Sequence, residues 1–371
     1  MSAVALYVLG LVLGYEELFV LAAAAIIALI GGAGWIALRP NLEVHREIEP
    51  RRVTRGDPAL GLVRVTNRSP FPSVPAIATE PCGPTTVQVE IPRLAKGASI
   101  AKRYRLPTDR RAVIDVGPIA ITRADPLGLW RTRRRHGDIE RLWVHPRTFV
   151  LFGLPAGRTR SLDGQAADAV EHGSITFHAL REYVVGDDLR HVHWKSSARV
   201  GSLMVREHVD TSLPQLTLLL DTRSSAYDEE SFETAIEAVA SIAVTASRQG
   251  FPLRLVTTCG RSAGGRGIGA DAAPLLDLLA GIQAADDVDL RSVVARLARE
   301  RRGDTFVAVT GRTDTDDIAP VASMARRFDD AALVMIADDA DARIVSVPRS
   351  VLVLRASSAE QFASRWNTVV R

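Results

Sequence analysis

The chain has 371 residues, enough for two modules with cores of their own plus an anchor, so no disulfide scaffold is needed to hold it together. A net charge of +3 gives no global field of the kind that marks a nucleic-acid binder, and nucleic acid is not an expected partner. Two cysteines far apart in sequence, Cys82 and Cys259, suit a reducing compartment better than a secreted disulfide framework.

The N-terminus is apolar. Leu18 to Leu38 holds 21 positions without a charge, and as a helix such a run spans about 31 Å, close to the hydrocarbon thickness of a bilayer. Trp35 sits near one end, where an interfacial aromatic is favoured. A shorter apolar run, Ser2 to Tyr15, precedes it, and Glu16 and Glu17 separate the two. A signal peptide would carry a basic n-region and a small-residue cleavage site, but no Lys or Arg precedes Arg39. The expectation is a transmembrane helical hairpin over residues 1–38, with both glutamates in its turn and the lipid bilayer as one partner. Arg39, Arg46, Arg51, Arg52 and Arg55 follow the second run. By the positive-inside rule the remainder of the chain is then cytoplasmic, at the inner (plasma) membrane.

Residues 40–150 change rhythm. Short alternating runs, Leu60 to Thr66 and Thr86 to Ile91, are punctuated by Arg55-Gly56-Asp57-Pro58, Asn67-Arg68-Ser69-Pro70 and Ala95-Lys96-Gly97, as in an antiparallel β-sandwich. Pro70, Pro72 and Pro75 belong to a loop or an edge. The basic run Arg131 to His136 reads as a solvated hairpin tip. The sharper reading, contact with anionic lipid or nucleic acid, lacks the interleaved aromatics that single-strand binding favours.

Residues 214–371 alternate strand and helix. Leu216 to Leu220 is a continuous apolar run, as a strand buried on both faces should be. Ser231 to Arg248 has helical period, with Phe232, Ala235, Ile236, Val239 and Ile242 on one face. Further strands are predicted at Leu253–Val256, Thr305–Thr310, Ala332–Ile336 and Val351–Leu354. Helices are predicted near Pro274–Gln283, Leu290–Arg301 and Ala359–Val370. This order implies a mostly parallel sheet with helices on both faces. Gly260 to Gly269 reads as a flexible glycine-rich loop, and the sequence contains neither a phosphate-binding loop nor a nucleophile elbow.

Residues 151–213 link the two parts and carry the densest charge, in Arg181 to Glu207, REYVVGDDLRHVHWKSSARVGSLMVRE. Arg181, Glu182, Asp187, Asp188, Arg190, Lys195, Arg199, Arg206 and Glu207 interleave both signs and suit an ion-pair clasp between the flanking domains. Gly186 reads as a turn and Trp194 as an interface anchor. A rival reading takes His191 and His193 as alternating on a strand and joins them with His178 and Asp187 in a metal site, which would make the chain a metal-dependent hydrolase.

Three stretches together resemble one family. They are Arg110-Arg111 through Gly117-Pro118 to Asp125-Pro126-Leu127-Gly128-Leu129; the segment holding Arg181, Glu182, Tyr183, Gly186, Asp187, Asp188, Arg190, His193, Trp194, Ser197, Arg199 and Glu207; and the loop Asp221-Thr222-Arg223-Ser224-Ser225. The chain resembles the domain-of-unknown-function 58 group of bacterial membrane proteins. That resemblance implies a von Willebrand A-like (Rossmann-type) C-terminal domain, no established catalytic residues, and a protein partner of the MoxR-type AAA ATPase class.

The loop after Leu220 sits where such domains place a metal-ion-dependent adhesion site of the pattern Asp-x-Ser-x-Ser. Asp221 and Ser225 match, but Arg223 replaces the first Ser, and Val309-Thr310-Gly311-Arg312 lacks the Asp that commonly follows the Thr; Asp314 is displaced. A permanently charged arginine would repel a cation, so magnesium is not expected as a cofactor, and Asp221 is expected to pair with Arg223 or to cap a helix. The leading expectation is a membrane-anchored, non-catalytic adaptor that presents Asp221, Arg223, Ser225 and Thr310 at the carboxyl edge of its sheet.

Overall fold

A computed structural model of the chain describes residues 2–37, 41–155, 176–182, 193–209, 215–264, 271–286, 288–299, 304–312, 315–337 and 351–370. These form two compact units, one of residues 1–147 with 276–282, the other of 148–275 with 283–371.

The first unit begins with two apolar helices, α1 (Ser2–Leu13) and α2 (Glu16–Ala37). Gly14 adopts a left-handed φ of 71°, a conformation glycine enters without a steric penalty, and its N–H donates to the Gly10 carbonyl at 2.9 Å. The chain therefore reverses at Gly14 and Tyr15, and Tyr7 meets Phe19 edge-on across the pair. Glu16 and Glu17, expected in the turn, instead form the first turn of α2, where carboxylates face the positive end of the helix dipole. Of the two helices only α2 is long and apolar enough to cross a membrane, over Glu16–Trp35. The rise of α1 is about 18 Å, well short of a hydrocarbon core.

Two sheets follow. β1 (Leu42–Glu49), β3 (Leu60–Asn67) and β6 (Ser99–Arg105) form one, in the order β1-β3-β6. The other has the order β2-β10-β7-β4-β8-β9, with β5 also on β4. Its strands are β2 (Arg52–Thr54), β4 (Ala76–Cys82), β5 (Thr85–Ile91), β7 (Ala112–Val116), β8 (Ile119–Ala124), β9 (Arg131–His136) and β10 (Glu140–His145). Val63, Val65, Ala78, Val89, Val116, Ile121 and Leu142 fill the core between them. All pairings are antiparallel as expected, except that β2 runs parallel to β10. Pro70, Pro72 and Pro75 fall between β3 and β4. The Arg131–His136 run is not a hairpin tip. It is the whole of edge strand β9, and the tip is Asp125–Trp130.

One polar cluster crosses this core. Arg46 of β1 donates to Glu80 of β4 at 2.7 Å, to Glu140 of β10 at 3.1 Å and to the Val116 carbonyl at 2.9 Å, and the Tyr104 hydroxyl of β6 donates to Glu80. The side chains of Arg46 and Glu80 are 5% and 1% exposed, so each ion depends on the other for the solvation it has lost. Arg46, counted above among the charges flanking the membrane span, is thus a core residue of the sandwich.

The second unit opens with β11 (Thr176–Glu182) antiparallel to β12 (Met204–Val209), and α3 (Trp194–Val200) lies between them in sequence. Its main sheet has the order β15-β14-β13-β16-β17-β18, from β13 (Leu216–Leu220), β14 (Leu253–Thr257), β15 (Ser262–Gly264), β16 (Thr305–Thr310), β17 (Asp330–Ile336) and β18 (Val351–Ala356). Every neighbour pair is parallel except β14–β15. Every residue of β13 and β16 is buried, which follows from helices on both faces. The sheet's helices are α4 (Glu229–Arg248), α6 (Leu290–Arg299), α7 (Thr315–Ala325) and α8 (Ala359–Val369), while most of α5 (Ala273–Ala280) belongs with the first unit. On one face α6 and α7 contribute Val293, Leu297, Ile318, Val321 and Met324 to a cluster with Leu219, Phe306 and Leu333. On the other, α4 packs over β13 and β16 and meets α8, whose Phe362 and Trp366 are fully buried. Within the main sheet and its helices two elements differ from expectation: β15 occupies part of the stretch read as a glycine-rich loop, and α7 was not foreseen.

Candidate functional site

From β13 the chain winds to β14 on one side of the sheet and later returns to β16 on the other. The carboxyl ends of β13 and β16 therefore flank the switch point, where open α/β sheets leave a crevice. Asp221 follows β13 directly and Thr310 ends β16, so chain order alone brings them together, with Asp221 N–H bonded to the Val309 carbonyl at 2.9 Å.

Asp221 is 1% exposed, and its carboxylate is fully engaged. Oδ2 accepts from Thr310 Oγ1 at 2.9 Å and from Arg223 Nη2 at 2.9 Å. Oδ1 accepts from the Arg223 N–H and Nε, each at 3.1 Å, and from Thr258 Oγ1 at 3.4 Å. The other arm of the Arg223 guanidinium reaches Asp317 of α7, Nη1 to Oδ2, at 2.6 Å, and Arg291 of α6 lies 3.7 Å from the far oxygen of Asp317. Burial pulls the Arg223 guanidinium down, but the bonds and charges of Asp221 and Asp317 outweigh it and hold it above its ordinary value. Burial, with the Asp221 charge adding to it, pushes the neighbouring Tyr227 hydroxyl well up. The arrangement is a closed acid–base–acid chain with a permanent cation at its centre.

The loop is pinned on both flanks. Thr222 N–H donates to Thr258 Oγ1 at 2.7 Å, and Cys259 N–H donates to Thr222 Oγ1 at 3.1 Å. Ser224 N–H donates to the Ala285 carbonyl at 3.0 Å, Ala285 N–H donates to the Thr222 carbonyl at 2.8 Å, and the Ser224 hydroxyl donates to Asp286. Gly311 is required by close approach. A Cβ there would lie 2.0 Å from the Ala226 carbonyl oxygen, which accepts from Arg312 N–H at 2.7 Å. Asp228 then caps α4.

Of the residues expected here, Asp221, Arg223 and Thr310 are brought together, whereas Ser225 is exposed in the short 3-10 turn Ser224–Ala226. Thr258, Asp317 and Asp286 belong to the cluster and were not anticipated. Thr258 had a signal, since it follows a predicted strand at the same sheet edge.

In the charge-dense segment, Tyr183, Gly186, Asp187, Asp188, Arg190 and His191 lie outside the described residues, as does Asp314; Arg181, Glu182 and Glu207 are placed only as strand positions in β11 and β12. His193 is not on a strand. It is the N-cap of α3, its Nδ1 2.7 Å from Ser196 Oγ and accepting from Ser196 N–H at 3.3 Å, because an acceptor at that position satisfies a free helix N–H. Ser197 is buried and ties α3 to β12 through Met204 N–H at 2.8 Å. Trp194, expected as an anchor, is 67% exposed, and Arg199 is exposed as well. Among the described residues no group of three or more His, Cys, Asp or Glu is arranged to hold a metal ion.

Comparison with known proteins bears on the second unit above all. The sequence matches the family described as "Protein of unknown function DUF58" over residues 179–364. The uncharacterized protein YeaD of Bacillus subtilis (strain 168) is 25% identical over 227 residues, which cover 57% of this chain and 54% of that protein, so the chain spans about half the length of the curated relative it matches. Among solved structures, the CARDB domain of the PF1109 protein from Pyrococcus furiosus, in complex with di-metal ions, is 14% identical and covers 28% of this chain and 91% of that one, with a TM-score of 0.22. The Deinococcus radiodurans RO (RSR) protein is 16% identical and covers 44% of this chain and 36% of that one, with a TM-score of 0.28. At these scores neither likeness carries weight for the fold. The sequence match extends over half of the chain and takes in the strand-end cluster around Asp221, and on that ground the chain belongs to the DUF58 family.

Proposed function

We propose that the chain is a membrane-anchored, non-catalytic partner-binding protein. Its von Willebrand A-like C-terminal region presents the carboxyl edge of its sheet to a cytoplasmic protein, and the family resemblance points to a MoxR-type AAA ATPase. The observation that carries the reading is the Arg223–Asp221 pair. In an adhesion-type site the equivalent carboxylate serves a divalent cation and, through it, a partner's acid. Here Arg223 occupies that carboxylate with a charge that cannot dissociate, so recognition falls to the rim of the crevice. That rim carries both signs on loops and helix starts, Arg291 and Arg312 beside Asp228, Asp286 and Asp317, which suits selection of a protein partner by charge complementarity.

Anchoring rests on α2, and cytoplasmic orientation on the arginines that follow it. The test places a photoreactive amino acid at exposed Ser225 of the full chain in native membranes, with exposed Asp329, just before β17 at the opposite edge of the sheet, as the control. An AAA ATPase crosslinked from Ser225 and not from Asp329 is the expected result. Equal labelling of the same protein from both positions, or none from Ser225, would overturn the reading.

A further inference from the structure

The β8–β9 hairpin is joined to the apolar helix. Trp130 Nε1 donates to the Leu29 carbonyl of α2 at 3.0 Å. Gly32 makes the approach possible, since a Cβ there would stand 2.8 Å from the Trp130 ring and 3.2 Å from the Asp125 carboxylate. Asp125, itself buried, shapes the tip by accepting the N–H of Leu127 at 3.0 Å and of Trp130 at 2.6 Å. Leu29 is about 12 Å along the helix from Ala37, so the tip meets α2 inside its apolar length and near its C-terminal end. Leu127, Leu129 and Trp130 nevertheless stand 65%, 48% and 44% exposed.

From that tip runs β9, an edge strand with Arg131, Arg133, Arg134 and Arg135 all exposed. Arg131 and Arg133 lie opposite Ala124 and Thr122, while Arg134 lies opposite Ile121, so the cations project from both faces of the edge. Among the described residues none of these four arginines is paired with an acid, and the buried Nε of Arg123 in β8 has no partner. Burial, with the nearby Arg134 charge adding to it, holds both Arg123 and His136 below their ordinary values.

We infer that the β8–β9 hairpin is a membrane-contact surface: Leu127, Leu129 and Trp130 enter the interfacial layer beside α2, and the β9 arginines bind anionic phospholipid headgroups. The occupant follows from continuity with α2. Leu29 lies about 12 Å inside the end of α2, deeper than a headgroup zone of roughly 5–8 Å, so the tip sits where headgroups meet acyl chains, and β9, rising about 3.3 Å per residue from it, has the length to bring its arginines to the phosphates. Tryptophan favours this layer, and arginine can hold its stem in it while the guanidinium reaches phosphate. The inference rests on the anchoring part of the proposed function and not on the partner.

The test reconstitutes the full chain into nanodiscs of phosphatidylcholine alone or with about 30% phosphatidylglycerol, and measures phenylglyoxal labelling by peptide mass spectrometry. Labelling of Arg131, Arg133, Arg134 and Arg135 should slow by about threefold or more with phosphatidylglycerol, relative to Arg296 and Arg299 of α6, and recover at about 1 M salt. Equal labelling in the two discs, or equally deep protection in phosphatidylcholine alone, overturns the proposal. A chain that does not co-elute with either disc overturns the anchor instead, so the two failures are distinguishable.

Discussion

Arg223 and Asp221, two residues apart on one loop, close on each other through three side-chain contacts of 2.9–3.1 Å at the carboxyl end of β13. Asp221 is 1% exposed and Arg223 14%. Removing one partner of a buried pair leaves an uncompensated charge, which costs far more than the pair contributes net. Arg223→Met should therefore destabilise the second unit by about 3–5 kcal/mol, whereas Arg223→Met with Asp221→Asn should recover most of that loss. Thermal unfolding of the full chain in detergent reads both. A single variant as stable as the parent would mean that the carboxylate finds other solvation.

The same pair makes a prediction about metal. Arg223→Ser restores the Asp-x-Ser-x-Ser order with Asp221 and Ser225, and leaves Thr310 Oγ1 2.9 Å from the carboxylate. Hard divalent cations need several oxygen ligands, and removing the guanidinium both frees two of them and lifts the repulsion. Millimolar magnesium should raise the unfolding temperature of Arg223→Ser and leave the parent unmoved. A magnesium-dependent rise in the parent would show that the arginine does not stand in for the ion.

Strand ends were legible because burial on both faces writes itself into composition: Leu216–Leu220 has no polar interruption beyond Thr217, so the next residue, Asp221, had to lie at the sheet edge. Thr310 was found by the same logic. Asp317 was hidden because α7 contains Pro320, and a proline inside a short helical pattern reads as a breaker. The β9 arginines were misplaced for a related reason. A charge run ordinarily marks a tip, and nothing local distinguishes it from an edge strand exposed on both faces. Glu16 and Glu17 misled because Gly14, two residues earlier, already makes the turn.

Asp228 gives a pH signature. Its Oδ1 accepts from Ser231 N–H at 2.8 Å and its own N–H donates to Ser231 Oγ at 3.0 Å. The backbone and hydroxyl bonds from Ser231 hold the carboxyl below its ordinary value of 3.8. With the folded value depressed, the contribution is present above pH 3.8 and is lost as pH falls through the folded value. The Asp228 side chain is 62% exposed, so its 3.3 Å contact with Arg312 is screened and the cap is the larger part. Asp228→Ala should cost about 1 kcal/mol at neutral pH, and the gap from the parent should close below about pH 4. A gap that stays constant down to pH 3 would assign the loss to something other than the ionised cap.

The Arg46–Glu80 pair offers a sharper contrast, because it lies deeper and joins two sheets. Burial pushes the Glu80 carboxyl up against the pull of Arg46. In Arg46→Met the carboxylate loses its 2.7 Å partner while remaining 1% exposed, and the first unit should lose about 3–5 kcal/mol at neutral pH. That loss should shrink as pH falls, since a group with a raised folded value favours the fold in its protonated form. Arg46→Met with Glu80→Gln removes both charges and keeps an acceptor for the Tyr104 hydroxyl. Glu140 does not become a new orphan, because its side chain is 24% exposed and already reaches Arg51 at 2.9 Å. The double variant should therefore unfold at a temperature well above the single one. Equal unfolding temperatures for the two would mean that the pair contributes attraction of its own beyond mutual rescue from burial.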